Sequence, residues 1–168
     1  MIFGITGNIQ KSITIDVTAS LLSLLKDRNV TVLVDAKLGA RYLTAGVLPG
    51  IESSPLVTAD ELFQACDILF ALGGDGTMLA AARLVGELGT PILGINLGKL
   101  GFLAETSVGE MQECIDDILA GNYSIEERMV LKATVGNQTY CALNEIVVDR
   151  GASPRMVELE TYVNSHYL

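Results

Sequence analysis

What the chain lacks narrows the field first. It has no tryptophan, four prolines and a single histidine, His166, almost at its end. Neither a histidine-based metal site nor a Ser-His-Asp triad is expected within it. The three cysteines, Cys66, Cys114 and Cys141, are odd in number and form no CxxC pair. That fits reduced thiols of a cytosolic protein better than a disulfide framework, and the expected role is that of small buried hydrophobes. No apolar run approaches the ~20 residues of a membrane-spanning helix. The opening MIFGITGNIQKS lacks a basic start and a long apolar core, so no signal peptide is expected. Positive charge is also scarce. Eleven Lys and Arg stand against twenty Asp and Glu, a net charge of −9. Such a surface repels nucleic acid and anionic membrane, and neither is an expected partner. Any anionic metabolite must then be held locally, by backbone N–H groups, helix N-termini, a cation or a few placed basic residues.

What is present is a globular composition: 49% apolar residues and 17 glycines in 168 positions. Ile2–Thr6 reads as a buried strand and Ser12–Arg28 as an amphipathic helix. Val30–Val34 reads as a second strand, and residues 36–57, with three glycines and two prolines, as irregular. Thr58 and Glu61 form a capping-box pattern before a short helix. A third strand, Ile68–Leu72, runs into the loop Gly73–Thr77 and then a helix from Thr77 to Leu88. A fourth strand spans Ile92–Asn96. Ser107 and Glu110 open another helix, closed by Gly121. Alternating strands and helices imply an α/β fold with an open, Rossmann-like parallel sheet. After Tyr123 the period changes. Strands are expected at Met129–Val135, Tyr140–Asp149 and Val157–Asn164, with turns at Gly136-Asn137 and Asn164-Ser165. The expected division is an α/β domain over 1–124 and the start of an all-β domain over 125–168.

Three motifs carry chemistry. The first is Gly73-Gly74-Asp75-Gly76-Thr77, between an apolar strand and a helix. Glycines bring backbone N–H groups close to a phosphate, and the helix N-terminus adds positive charge. The sequence contains neither GxxxxGK[ST] nor GxGxxG. A carboxylate among phosphate-binding glycines needs a task. Asp75 could accept a proton from an attacking hydroxyl or help hold a metal that bridges phosphates. The competing reading makes it a helix N-cap. The second motif, Gly94–Leu103 (GINLGKLGFL), is a loop at a strand's carboxyl edge, where Lys99 could neutralise phosphate. Phe102 is a candidate substrate contact there; alternatively Phe102 and Leu103 pack into the core. The third is Asn144-Glu145 before Ile146-Val147-Val148. Asparagine can read an adenine edge and glutamate can accept from ribose hydroxyls, although the pair also reads as an ordinary strand start.

GGDGT, GINLGKLGFL and LNEIVVDRG, in this order and at these separations, resemble the NAD kinase family over about residues 68–163. GGDGT alone is shared with diacylglycerol and sphingosine kinases, and a related GGDG with phosphofructokinases; the second and third motifs discriminate. The resemblance implies phosphoryl transfer from ATP, or polyphosphate, to the 2′-hydroxyl of the adenosine ribose of NAD, giving NADP, with Mg²⁺ or another divalent ion. By that resemblance Asp75 matches the catalytic aspartate, and Gly74, Gly76 and Thr77 match the phosphate-side loop. Asn144 and Glu145 match a pair that contacts NAD, and Arg155 a basic ligand contact. Ala80 stands where many relatives have a basic residue. The acidic charge, the absent signal and the unpaired cysteines lead us to expect a cytoplasmic homo-oligomer. The resemblance also implies a family pattern that continues past Leu168 through a glycine-rich stretch, so the chain reads as truncated. The alternatives are another GGDGT-type kinase, for a lipid or a sugar, or an inactive nucleotide-binding fragment.

Overall fold

Apolar runs become strands and amphipathic runs become helices in alternation over the first 120 residues. The computed structural model describes residues 1–46, 54–99, 101–152, 156 and 158–168. In chain order come β1 (Ile2–Gly7), α1 (Ile13–Asp27), β2 (Thr31–Asp35), α2 (Ala36–Thr44), β3 (Leu56–Val57) and α3 (Ala59–Ala65). They are followed by β4 (Ile68–Gly73), α4 (Asp75–Val85), β5 (Ile92–Asn96), β6 (Thr106–Ser107) and α5 (Met111–Ala120). The six strands pair in parallel, in the order β3-β2-β1-β4-β5-β6. This is the expected Rossmann-like sheet. Strand order reverses between β1 and β4, and a crevice opens outside their carboxyl ends.

A parallel sheet must be covered on both faces, and β4 is buried along its whole length. Its alternate residues serve two cores. Ile68, Phe70 and Leu72 pack with apolar residues of α1, α2 and α5. Leu69 and Ala71 pack with Leu62 and Phe63 of α3 and with Ala81 and Val85 of α4. Phe3 and Phe70 meet edge-on across β1 and β4 at 5.2 Å. Thr58 caps α3 in a reciprocal box with Glu61, as its sequence implied. Ser107 and Glu110 form a second box, which opens a 3₁₀ turn leading into α5.

The reading of residues 36–57 as irregular is overturned at both ends. The Asp35 carboxylate accepts the Lys37 N–H at 2.7 Å and starts α2. Leu38 and Tyr42, one turn apart, are buried in the first core. Gly39 looked like a helix breaker. Instead its missing side chain admits Leu56 of β3, which a Cβ there would strike. Residues 47–53 lie outside the described residues.

The later strands are shorter than expected. β7 (Leu131–Val135) and β8 (Gln138–Ala142) form a hairpin around Gly136-Asn137. β9 (Tyr162–Val163) and β10 (His166–Tyr167) form another around Asn164-Ser165. Asn164 and Ser165 have φ of 49° and 68°, the double left-handed pair of a type I′ turn. The strand expected over Tyr140–Asp149 stops at Ala142. The one expected over Val157–Asn164 keeps only Tyr162–Val163, and Val157 lies outside the described residues. Strands exist by pairing. Ile146, Val147 and Val148 have the composition but no ladder partner among the described residues, and they are exposed.

Candidate active site

The Gly-Gly-Asp-Gly-Thr segment is tighter than its sequence suggested. Gly73 closes β4, Gly74 is the N-cap, and Asp75 is already the first residue of α4. The expected five-residue loop is therefore a one-residue turn. The Gly74 carbonyl accepts from the Thr77 and Met78 N–H groups at 2.9 and 3.1 Å, which closes the first turn at once. A Cβ on Gly73 would overlap the Thr77 side chain, so this immediate strand-to-helix junction requires glycine. Gly76 and Thr77 thus sit in a helical first turn at the positive end of the helix dipole; the Thr77 N–H is taken by the Gly74 carbonyl, and those of Asp75 and Gly76 have no intrahelical partner.

The Asp75 side chain does not cap its own helix; it reaches the loop after β5. Its Oδ2 accepts the Phe102 N–H at 3.0 Å, and its Oδ1 accepts those of Leu103 at 3.0 Å and Ala104 at 3.2 Å. These bonds favour the ionised form and hold the carboxyl below the usual aspartate value, the Phe102 and Leu103 N–H groups contributing most. Gly101 makes the approach possible, because a Cβ there would overlap the carboxylate. Asn96, buried at the end of β5, shapes the same loop. Its Nδ2 donates to the Lys99 and Ala104 carbonyls at 2.8 and 3.1 Å, and its Oδ1 accepts the Gly98 N–H at 2.9 Å. Sequence reasoning gave Asn96 no such role. An asparagine ending an apolar strand before a glycine-rich loop was the available signal. The alternative that Phe102 packs into the core is overturned, for its side chain is 90% exposed. The Lys99 side chain is exposed as well.

Between the carboxyl ends of β1 and β4 lies a crevice of about 440 Å³. Gly74, Gly76 and Thr77 line one side, and Thr6, Gly7, Asn8 and Lys11 line the other. The β1–α1 loop is pinned in place. The Asn8 N–H donates to the Leu72 carbonyl of β4 at 2.9 Å. The Asn8 side chain accepts the Gln10 N–H at 3.0 Å, and the Thr14 hydroxyl donates to the Asn8 carbonyl at 2.7 Å. From sequence, this N-terminal stretch had no assigned role. Gly7-Asn8 ending a strand, with Lys11 just before a helix, was the overlooked signal.

The remaining candidates stand apart. Asn144 and Glu145 are exposed just beyond β8 and are not among the residues lining the crevice. Arg155 lies outside the described residues. Of the cysteines expected to be buried, Cys66 is, and burial pushes its thiol up, whereas Cys141 is exposed. Among the described residues no cluster of three or more His, Cys, Asp or Glu could hold a metal ion.

Fold and site define the class: a Rossmann-like α/β protein with a glycine-and-aspartate helix start at its switch point. A model of the family described as the ATP-NAD kinase N-terminal domain matches residues 3–123. The chain belongs to the NAD kinase family. It is 44% identical over 169 residues to the NAD kinase of Moorella thermoacetica, covering 98% of this chain and 51% of that protein. It is 38% identical to the NAD kinase of Natranaerobius thermophilus, covering 98% of this chain and 57% of that one. The chain thus spans about half the length of the curated relatives it matches. In three dimensions it resembles the crystal structure of yeast NADH kinase complexed with NADH, with a TM-score of 0.85 at 21% identity. That match covers 100% of this chain and 54% of that one.

Proposed function

We propose that the protein transfers a phosphoryl group from ATP to the 2′-hydroxyl of the adenosine ribose of NAD, yielding NADP. The observation that carries this is the position of Asp75: a carboxylate on the first turn of α4, beside a switch-point crevice, in a chain of the NAD kinase family. An ionised carboxylate offers about four lone-pair sites. Three N–H groups occupy three of them, leaving one on Oδ2 for a substrate hydroxyl. Asp75 then orients the 2′-oxygen and accepts its proton. Because phosphoryl transfer passes through a loose transition state, catalysis comes mostly from positioning and charge neutralisation, and a weakly basic carboxylate suffices. Gly74, Gly76 and Thr77 receive the donor's phosphates at the positive end of α4.

The exposed Phe102 ring offers a stacking face to the acceptor's adenine, and Asn144, Glu145 and Arg155 contact the dinucleotide from the β segment. A divalent ion would be held here by the substrate phosphates and water, as Mg²⁺ commonly binds, because the one open site on Asp75 is given to the hydroxyl; the ion would neutralise charge on the transferred group. We further propose a domain boundary near residue 124 and a cytoplasmic, self-associating protein.

A panel crossing acceptors (NAD, NADH, diacylglycerol, sugar phosphates) with donors (ATP, polyphosphate) tests the reading. NADP formation with ATP is the expected result. Turnover of the lipid or sugar but not of NAD would overturn it.

A further inference from the structure

We infer that Lys11 is a specificity-determining residue of the switch-point crevice, gripping the phosphate tail of a nucleoside triphosphate. The inference deepens the donor side of the proposed function and rests on it. Among the described residues lining the crevice, Lys11 alone is charged. It stands on the wall opposite Gly76 and Thr77. A Cβ on Gly98 would lie 3.6 Å from its Nζ, so the ammonium sits where the β1–α1 loop and the loop after β5 approach each other.

Three observations separate this lysine from an ordinary surface charge. Its loop is anchored to the centre of the sheet through the Asn8 N–H and the Leu72 carbonyl, so the backbone that carries this exposed lysine is fixed beside the crevice. It forms no ion pair among the described residues, although the chain has nine negative charges in excess. It also lines the same crevice as Gly74, Gly76 and Thr77, where the positive end of α4 attracts the same sign of ligand. A cation and a helix N-terminus across one crevice form a two-sided phosphate clamp in an otherwise anion-repelling protein.

The far wall says what the phosphates are attached to. Half-exposed Leu84 and partly buried Ile9 give the crevice apolar surface, with the buried Phe63 and Ala81 behind it. The volume of about 440 Å³ lies within the usual range for small-molecule sites. An apolar end and a cationic end suit a base and its phosphate tail. Bare polyphosphate would leave the apolar wall unused. Ala80 follows Gly76 by one turn on the same helix and lines the same crevice, so an arginine there would point into it.

Calorimetric titration of the chain with Mg·ATP, inorganic tripolyphosphate and adenosine tests the assignment, using Lys11→Gln, Lys11→Arg and the double variant Lys11→Gln with Ala80→Arg. Lys11→Gln is expected to weaken ATP and tripolyphosphate binding about tenfold, the scale of one charge-assisted contact. Adenosine binding should not change. Lys11→Arg should retain most of the affinity, and Ala80→Arg should restore it. Unchanged ATP affinity in Lys11→Gln would overturn the role of Lys11, and so would an equal loss for adenosine. Tripolyphosphate binding the original chain as tightly as ATP would overturn the nucleoside assignment. No arm contains NAD, so a failure of the acceptor reading leaves these outcomes intact.

Discussion

The Asp75 carboxylate accepts the backbone N–H of Phe102 at 3.0 Å, tying the first turn of α4 to a loop 27 residues downstream. With the Leu103 and Ala104 N–H groups added, one side chain fixes the backbone of three consecutive residues. The residue proposed to activate the acceptor is thus also the one that shapes the loop carrying Phe102. Both roles depend on the carboxylate being ionised.

Asp75→Asn separates charge from shape. The amide nitrogen cannot accept, so at least part of the three-bond clamp is lost. NADP formation should fall by about 10²–10⁴, the usual contribution of a positioned proton acceptor. NAD affinity should change much less. Hydrogen exchange at the Phe102, Leu103 and Ala104 amides should speed up in the variant, and unchanged exchange there would contradict the clamp.

The pH behaviour follows from the sign of the shift. Asp75 in the folded chain lies below its ordinary value of about 3.9. The stability from the clamp is therefore complete above that ordinary value and is lost as pH falls through the lower folded one. Between pH 5 and pH 9 Asp75 should contribute no inflection to the rate. The ¹³C resonance of its carboxyl should titrate below about 3.9, and a midpoint above 5 would contradict the hydrogen-bond pattern.

Leu38→Ala tests whether α2 is part of the core. Leu38 is 1% exposed and packs in the first core. Truncating such a leucine costs about 2–5 kcal/mol. Urea unfolding should show a loss of that size, whereas a loss below about 0.5 kcal/mol, typical of surface positions, would return the segment to a loop.

The sheet was legible because parallel strands buried on both faces leave continuous apolar runs, as in Ile68–Leu72, and because Thr58-Glu61 and Ser107-Glu110 mark helix starts chemically. The helix α2 was not legible. Gly39 reads locally as a breaker, and only contact with Leu56, seventeen positions on, explains it. In the site, the sequence identified Asp75 and Phe102 as important but could not show that they are joined. A hydrogen bond to a distant backbone N–H leaves no trace in side-chain pattern. Lys11 was overlooked because a lone lysine before a helix is ordinary until the fold sets it across from Gly76. The later strands were overcalled, since alternation in composition cannot show whether a pairing partner exists.

The exposed apolar residues Ile146, Val147 and Val148 carry the expectation of self-association. Replacing Val147 and Val148 by lysine should shift sedimentation toward the monomer. An unchanged distribution would remove this segment from the contact.

The most direct test of the central claim is where the protein puts phosphate. Incubation with NAD, ATP and Mg²⁺, followed by ³¹P NMR of the dinucleotide product, distinguishes the adenosine 2′-oxygen from every other position. The account predicts a single monoester at that 2′-oxygen, reduced at least a hundredfold in Asp75→Asn. Phosphate at another hydroxyl, equal yields from the original chain and Asp75→Asn, or nucleotide binding without any NADP would contradict it.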